Sequence, residues 1–193
     1  MRNKGYTLIE ILVAISIFTT VIAAPTGFFV IALKGQQKAL ASQEVLDETS
    51  FVLEYVSRAL RMAKKELSSS QPCLTNGYGF NYETTRDGNG IRFKSYKTPS
   101  VCQEIFLENG HLMETRDGGL TSVPLTSDGL WVEKFKINLI GESQSNPDGS
   151  FETTQPRVTL YLEVKGIKAA SPELQPVLKI QTTISQRNLD VMW

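Results

Sequence analysis

The feature that most constrains this chain is a run of 23 residues without a charged side chain, residues 11–33. As a helix, the run would be about 35 Å long, which matches the apolar thickness of a bilayer. A cleaved secretory signal has a shorter apolar core of about 7 to 15 residues and a small-residue cleavage site after it. Here Ala23-Ala24-Pro25 runs directly into further apolar residues. The sequence therefore predicts a membrane helix that is retained.

Three residues disturb the reading of this segment as a plain anchor. Pro25 removes a helical hydrogen bond and Gly27 loosens the backbone, so the helix could bend or open there. Glu10 places a carboxylate at the edge of the apolar run, where ionised groups cost up to about 2.5 to 3.5 kcal/mol at mid-span. By position alone, Glu10 either snorkels to the lipid headgroups or binds a partner.

Arg2 and Lys4 precede the run, which predicts a cytoplasmic N-terminus with the rest of the chain outside.

The stretch KGYTLIEILVAI, residues 4–15, resembles the class III leader and N-terminal helix of type IV pilins and type II secretion pseudopilins. This resemblance implies that a prepilin peptidase cuts after Gly5 and that the new N-terminal residue, Tyr6, is N-methylated. It also implies that Glu10 pairs with the N-terminal ammonium of a neighbouring subunit in a filament. Such a pair would form in a low-dielectric setting, where the attraction between charges is strong.

The next segment is predicted to be an amphipathic helix that continues the membrane helix. Residues 35–67 contain no proline, and an apolar stripe recurs at Leu46, Leu53, Leu60 and Leu67, flanked by Val45, Val52, Val56 and Ala63. Serines and a proline in residues 68–72 then end the helix. We expect four parts: a removed leader (1–5), a transmembrane and assembly helix (6–34), its amphipathic second half (35–67) and a globular β domain (68–193).

Alternating apolar residues predict strands in the β domain. The clearest alternation is in residues 157–165, where Val158, Leu160, Leu162 and Val164 share one face. Asn109-Gly110 predicts a two-residue hairpin with a type I′ turn. The other predicted strands are residues 90–96, 103–108, 111–116, 131–140 and 177–185. The predicted fold class is α+β and pilin-like, with the long N-terminal helix packed on an antiparallel β-sheet.

The C-terminal half carries a looser resemblance. Residues 155–158 and 181–189 are similar to the ending of J-type minor pseudopilins, which implies a place at the filament tip. Glu10 argues against the K-type tip subunit, which characteristically lacks this glutamate. A subunit of a type IV or competence pilus is the alternative within this class. The implied partners are other pilin or pseudopilin subunits, the prepilin peptidase, the inner-membrane assembly platform and membrane lipid, and the implied location is the inner membrane and then the filament.

Residues that often carry catalysis or metal binding are sparse. The single histidine, His111, follows the predicted turn, and Cys73 and Cys102 are too few and too far apart for a zinc cluster. The two cysteines would form a disulfide only if the chain lies outside the cytoplasm and the fold brings them close, and their spacing leaves this open. Residues 87–90 and 146–149 are interpreted as turns, with an irregular calcium site as the alternative.

The formal net charge is zero, which does not favour a nucleic-acid partner. We therefore expect a structural subunit without a cofactor, and not an enzyme. A membrane-anchored exported enzyme or binding protein is the alternative from another class.

Overall fold

A computed structural model describes residues 5–67, 72–77, 79–96, 101–116, 121–141, 155–168 and 171–187. Within these ranges it has one long helix and eight strands. They are α1 (Leu8–Arg61), β1 (Tyr82–Thr85), β2 (Gly90–Lys94), β3 (Cys102–Glu108), β4 (His111–Arg116), β5 (Thr121–Pro124), β6 (Leu130–Ile140), β7 (Arg157–Gly166) and β8 (Val177–Ser185). The chain divides into two compact units, Met1–Leu40 and Ala41–Trp193, and α1 contributes to both. The predicted α+β class, with a long helix packed on antiparallel strands, is confirmed.

The strands form two antiparallel sheets, so the single sheet that we expected is wrong. One sheet has the order β1-β2-β3-β4-β5, and the other has the order β6-β7-β8. The six predicted strands are found with boundaries shifted by at most two residues. Two strands were not predicted: β1 and β5 have only four residues each, and all four residues of β5 are exposed. Strands so short contain too little alternation to be recognised.

The turn between β3 and β4 is the predicted two-residue hairpin. Glu108 pairs with His111, and the two residues between them have positive φ values, 50° at Asn109 and 77° at Gly110. This combination is the one that a type I′ turn requires. A Cβ atom at Gly110 would also lie 2.5 Å from the ring of Trp131 on β6. Glycine is therefore needed here both for its backbone conformation and for the close approach of the second sheet.

The buried face of α1 follows the valines that were predicted to flank the leucine stripe, and of the four predicted leucines Leu60 alone is fully buried. The buried positions are Val45, Thr49, Val52, Val56 and Leu60, whereas Leu46 is 46% exposed. Leu67 lies beyond the helix end at Arg61 and is 49% exposed. A strict seven-residue repeat drifts by about 20° per heptad around a straight α-helix, so leucines aligned with Leu60 leave the buried face within two repeats. The core instead follows spacings of three and four residues.

Backbone groups at the C-terminal end of α1 bond to distant parts of the chain. The Tyr82 hydroxyl donates to the Leu60 carbonyl (2.7 Å), and the Arg187 N–H donates to the Arg61 carbonyl (3.0 Å). The side-chain amide of Gln186 donates to the Ala63 carbonyl (2.9 Å) just after the helix. These bonds satisfy carbonyls that a helix end leaves without intrahelical partners. They also fasten α1 to the start of the first sheet and to the end of the second.

Cys73 and Cys102 form a disulfide, with their Cα atoms 5.3 Å apart. Beside it, the fully buried carboxylate of Glu66 accepts hydrogen bonds from the Cys73 N–H (2.8 Å) and the Lys94 ammonium (2.9 Å). A buried charge is tolerated when it is paired and hydrogen-bonded in this way. The disulfide, a loop and two strands are thus held around one carboxylate, which the sequence analysis did not single out.

A β-bulge decides which side chains of β6 face outward. The register shifts between Val132 and Lys134, so Val132 and Phe135 are both buried although they are three residues apart. Lys134 is thereby placed opposite Glu163 on β7, and its ammonium lies 3.2 Å from the Glu163 carboxylate. Lys179 on β8 approaches the same carboxylate to 2.8 Å. One carboxylate therefore joins all three strands of the second sheet.

Replacing this carboxylate by Glu163→Gln is expected to lower the melting temperature more at pH 7 than at pH 3. The hydrogen bond from Lys179 is the main cause that lowers the pKa of Glu163 below its usual value. A lowered pKa means that the carboxylate stabilises the fold above its ordinary titration range, and that this contribution is lost as the pH falls through the folded-state value. The measurement is thermal unfolding by circular dichroism of the full chain in detergent micelles. Glu173→Gln, in an exposed turn, is the matched control. An equal difference in melting temperature between wild type and Glu163→Gln at both pH values would contradict the prediction.

Candidate functional site

The first turn of α1 contains the candidate site. The helix begins at Leu8, and the backbone N–H of Glu10 lies 3.1 Å from the Thr7 carbonyl and 3.4 Å from the Thr7 hydroxyl. Thr7 therefore occupies the N-cap position, with Glu10 three residues later. A threonine followed by glutamate at this spacing is the sequence signature of a capping box. Thr7 was not among the predicted site residues, although its spacing to Glu10 could have identified it.

This geometry stabilises the carboxylate of Glu10 only in part. The positive end of the helix dipole favours a negative charge in the first turn, by about 0.3 to 1 kcal/mol. Ionisation inside hydrocarbon costs more, up to about 2.5 to 3.5 kcal/mol at mid-span. Glu10 is exposed, and it has no ion pair among the residues that the structure describes. The carboxylate is thus free to bind a cation supplied from outside this chain.

Gly5 and Tyr6 lie immediately before the helix, outside regular secondary structure. Tyr6 is 78% exposed, and a Cβ atom at Gly5 would meet no other atom within 4 Å. A protease must reach the backbone on both sides of the bond that it cuts. The peptide bond between these two residues is accessible in this way, and Tyr6 lies four residues before Glu10.

The rest of the first unit presents an apolar surface. Among the described residues, α1 is the one helix long and apolar enough to cross a membrane, with a mean hydropathy of 2.2 over its best 18 residues. No part of that window is buried inside the protein, unlike the core helix of a soluble domain. Hydroxyl groups of the apolar segment donate to carbonyls of the preceding turn at 2.8 to 3.0 Å; they belong to Ser16, Thr19, Thr20 and Thr26. This suits a medium without water, where polar groups must bond internally.

Pro25 and Gly27 both lie in α-helical conformation, so the structure has no break at either residue. A Cβ atom at Gly27 would meet no atom within 4 Å outside the local helix backbone. Packing inside this chain therefore does not require glycine at that position. Their predicted effect on helix flexibility stays a prediction.

The other candidate residues are not brought together at a site. His111 is half-buried, with Nδ1 3.3 Å from the Thr126 hydroxyl and its ring edge-on to Trp131. Asp87 lies in a short 3-10 turn at Arg86–Gly88. Over the described ranges, no group of three or more His, Cys, Asp or Glu side chains is arranged to hold a metal ion. Residues 146–149 lie outside the described residues.

Comparison with known proteins identifies one family feature. Residues 1–24 match the model of the prokaryotic N-terminal methylation motif. This match covers Gly5, Tyr6, Thr7 and Glu10, and it is consistent with the pilin and pseudopilin family. No curated protein and no solved structure matches the chain. The chain therefore carries a class III prepilin leader joined to an apolar anchoring helix, while the J-type resemblance stays a prediction.

Proposed function

We propose that this chain is a minor pilin or pseudopilin that is cleaved after Gly5, N-methylated on Tyr6 and added to a filament through the first turn of α1. The observation that carries the proposal is the position of Glu10. It lies inside the matched motif and at the exposed start of an apolar helix, without an ion-pair partner among the described residues. A neighbouring subunit's N-terminal ammonium has the charge to pair with this carboxylate.

The proposed role is structural and not enzymatic. Assembly at the tip of a type II secretion pseudopilus is the specific form that the C-terminal resemblance favours. The globular unit would then contact other minor subunits or cargo, with the chain first in the inner membrane and afterwards in the filament. Membrane energetics support this order of events, because an unpaired carboxylate is costly in lipid and pairing with a cation lowers that cost.

Mass spectrometry of the chain purified from cells that express a prepilin peptidase tests the processing step. We expect the mature mass to lack residues 1–5 and to include one added methyl group on Tyr6. Gly5→Val should block cleavage without disturbing the fold, because a Cβ atom at Gly5 meets nothing within 4 Å. Gly27→Ala is the matched control, since it adds a Cβ atom to similarly open space. An intact leader on the wild-type chain, or cleavage near Ala24, would overturn the proposal.

A further inference from the structure

A groove lies between α1 and the first sheet in the unit Ala41–Trp193. It has a volume of about 650 Å³, and its apolar lining includes Phe51 of α1 and Met62 just after the helix, with Tyr96 and Val101 beside strands β2 and β3. Phe51 is 71% exposed and Tyr96 is 53% exposed. Large aromatic side chains that remain exposed in a concave surface are typical of a binding site.

A second depression of about 860 Å³ lies between α1 and the end of β8. The two depressions share Glu54, Arg58 and Met62, so they adjoin along these residues. We call this surface the arginine groove, because four arginines line it: Arg58, Arg61, Arg116 and Arg187. The stretch along it runs from Phe51 of α1 to Met62, the residue after the helix end, and corresponds to roughly 17 Å at the rise of an α-helix.

Two of the four arginines are neutralised within the chain. Arg58 pairs with Glu54 at 2.7 Å, and Arg116 pairs with the buried carboxylate of Glu114 at 3.0 Å. Arg61 and Arg187 are both exposed, and within the described part of the chain neither guanidinium has a hydrogen-bond or ion-pair partner. One end of the groove thus carries two unpaired positive charges beside an apolar wall.

These two charges are held next to each other by the backbone. The Arg187 N–H donates to the Arg61 carbonyl at 3.0 Å, which joins the end of the second sheet to the end of α1. Guanidinium groups bind carboxylates and phosphates through two parallel hydrogen bonds, which suits these two arginines to an anionic partner. A groove of roughly 17 Å accommodates about five residues of extended chain. These dimensions suit a peptide better than a small metabolite.

We propose that the arginine groove binds an acidic, amphipathic segment of a second polypeptide. Its apolar side chains would pack on Phe51 and Met62, and its carboxylates would bind Arg61 and Arg187. Charge complementarity favours this occupant over a basic or neutral segment. The concave position of the arginines favours a peptide over a flat anionic lipid surface. This inference is independent of the proposed processing and assembly of the N-terminal segment.

Fluorescence anisotropy with labelled peptides tests the proposal on the full chain in detergent micelles. The probe is a soluble decapeptide of alternating leucine and glutamate. One control peptide has lysine in place of glutamate, and another has serine in place of leucine. We expect the acidic amphipathic peptide to bind at least about tenfold more tightly than either control, and its affinity to fall as salt is raised.

Variants locate the binding surface. Arg61→Glu combined with Arg187→Glu should weaken binding of the acidic peptide by at least about tenfold. Phe51→Ser should also weaken it, while Lys136→Glu, at an exposed lysine of β6 that lines neither depression, should leave it unchanged. If the double variant alters the circular dichroism spectrum, the single substitution Arg61→Gln is used in its place, because it is a milder change.

Four outcomes would overturn the proposal. The first two are that the acidic peptide does not bind, or that the lysine peptide binds equally well. The third is that the arginine and Phe51 substitutions leave binding of the acidic peptide unchanged. The fourth is that the acidic peptide binds only when the chain is shortened after Arg187. The last outcome would assign the groove to residues 188–193 of this chain. Phosphatidylglycerol vesicles that bind through Arg61 and Arg187, without any binding of the acidic peptide, would assign it to lipid instead.

Discussion

Glu10→Gln is expected to reduce incorporation of the chain into a filament by about 10- to 100-fold while leaving it in the membrane. A hydrogen-bonded contact to a charged group contributes about 1.5 to 3 kcal/mol, which corresponds to that range of equilibrium constants. Glutamine is the informative replacement because it also fits the capping-box position after Thr7. The start of α1 is thereby kept, and the negative charge alone is removed.

The measurement is the fraction of the chain recovered in sheared filaments, with the other subunits and the assembly machinery present. Carbonate extraction of the membranes shows whether each variant stays anchored. Thr20→Val is the matched control, because the Thr20 hydroxyl bonds only to carbonyls of its own helix, at 2.8 and 2.9 Å. If Glu10→Gln enters filaments as well as wild type does, the carboxylate has no role in docking.

Leu60→Ala is expected to destabilise the globular unit by about 2 to 5 kcal/mol, the usual cost of emptying a leucine site in a core. Leu60 is fully buried, next to the helix end that Tyr82 caps. Leu46→Ala is the matched control: it removes the same atoms from the same helix, but Leu46 is 46% exposed. We expect the control to cost about 1 kcal/mol or less.

Chemical denaturation of both variants in detergent micelles, followed by circular dichroism, compares the two positions directly. The buried face at Val45, Val52, Val56 and Leu60 predicts a large difference between them. Equal losses of stability would instead support the leucine repeat as the packing face. This comparison therefore separates the observed buried face of α1 from a face centred on the leucine repeat alone.

Local signals in the sequence were sufficient for most elements of the fold. The alternation in β7 and the Asn109-Gly110 turn each depend on neighbouring residues, and the structure has both as predicted. The leader motif and the apolar run are local as well. Thr7 is a local signal too, because the capping-box spacing from Thr7 to Glu10 can be recognised in the sequence without any tertiary contact.

Features made from distant residues were missed for a common reason. The helix face depends on which strands cover it, and the β6 bulge becomes visible only beside β7. Glu66 and Glu163 look like ordinary polar residues until lysines from other strands reach them. Whether Cys73 and Cys102 meet depends in the same way on how the loop before β1 folds against β3.

The sequence by itself determined the membrane-compatible first unit and its candidate site, because a continuous apolar run and a motif of adjacent residues need no partner in the fold to be recognised. Only the tertiary structure decided the division into two sheets, the buried face of α1, the disulfide and the arginine groove. Each of these depends on contacts between residues far apart in the chain, such as Arg61 and Arg187. Local periodicity carries no information about which distant surfaces meet.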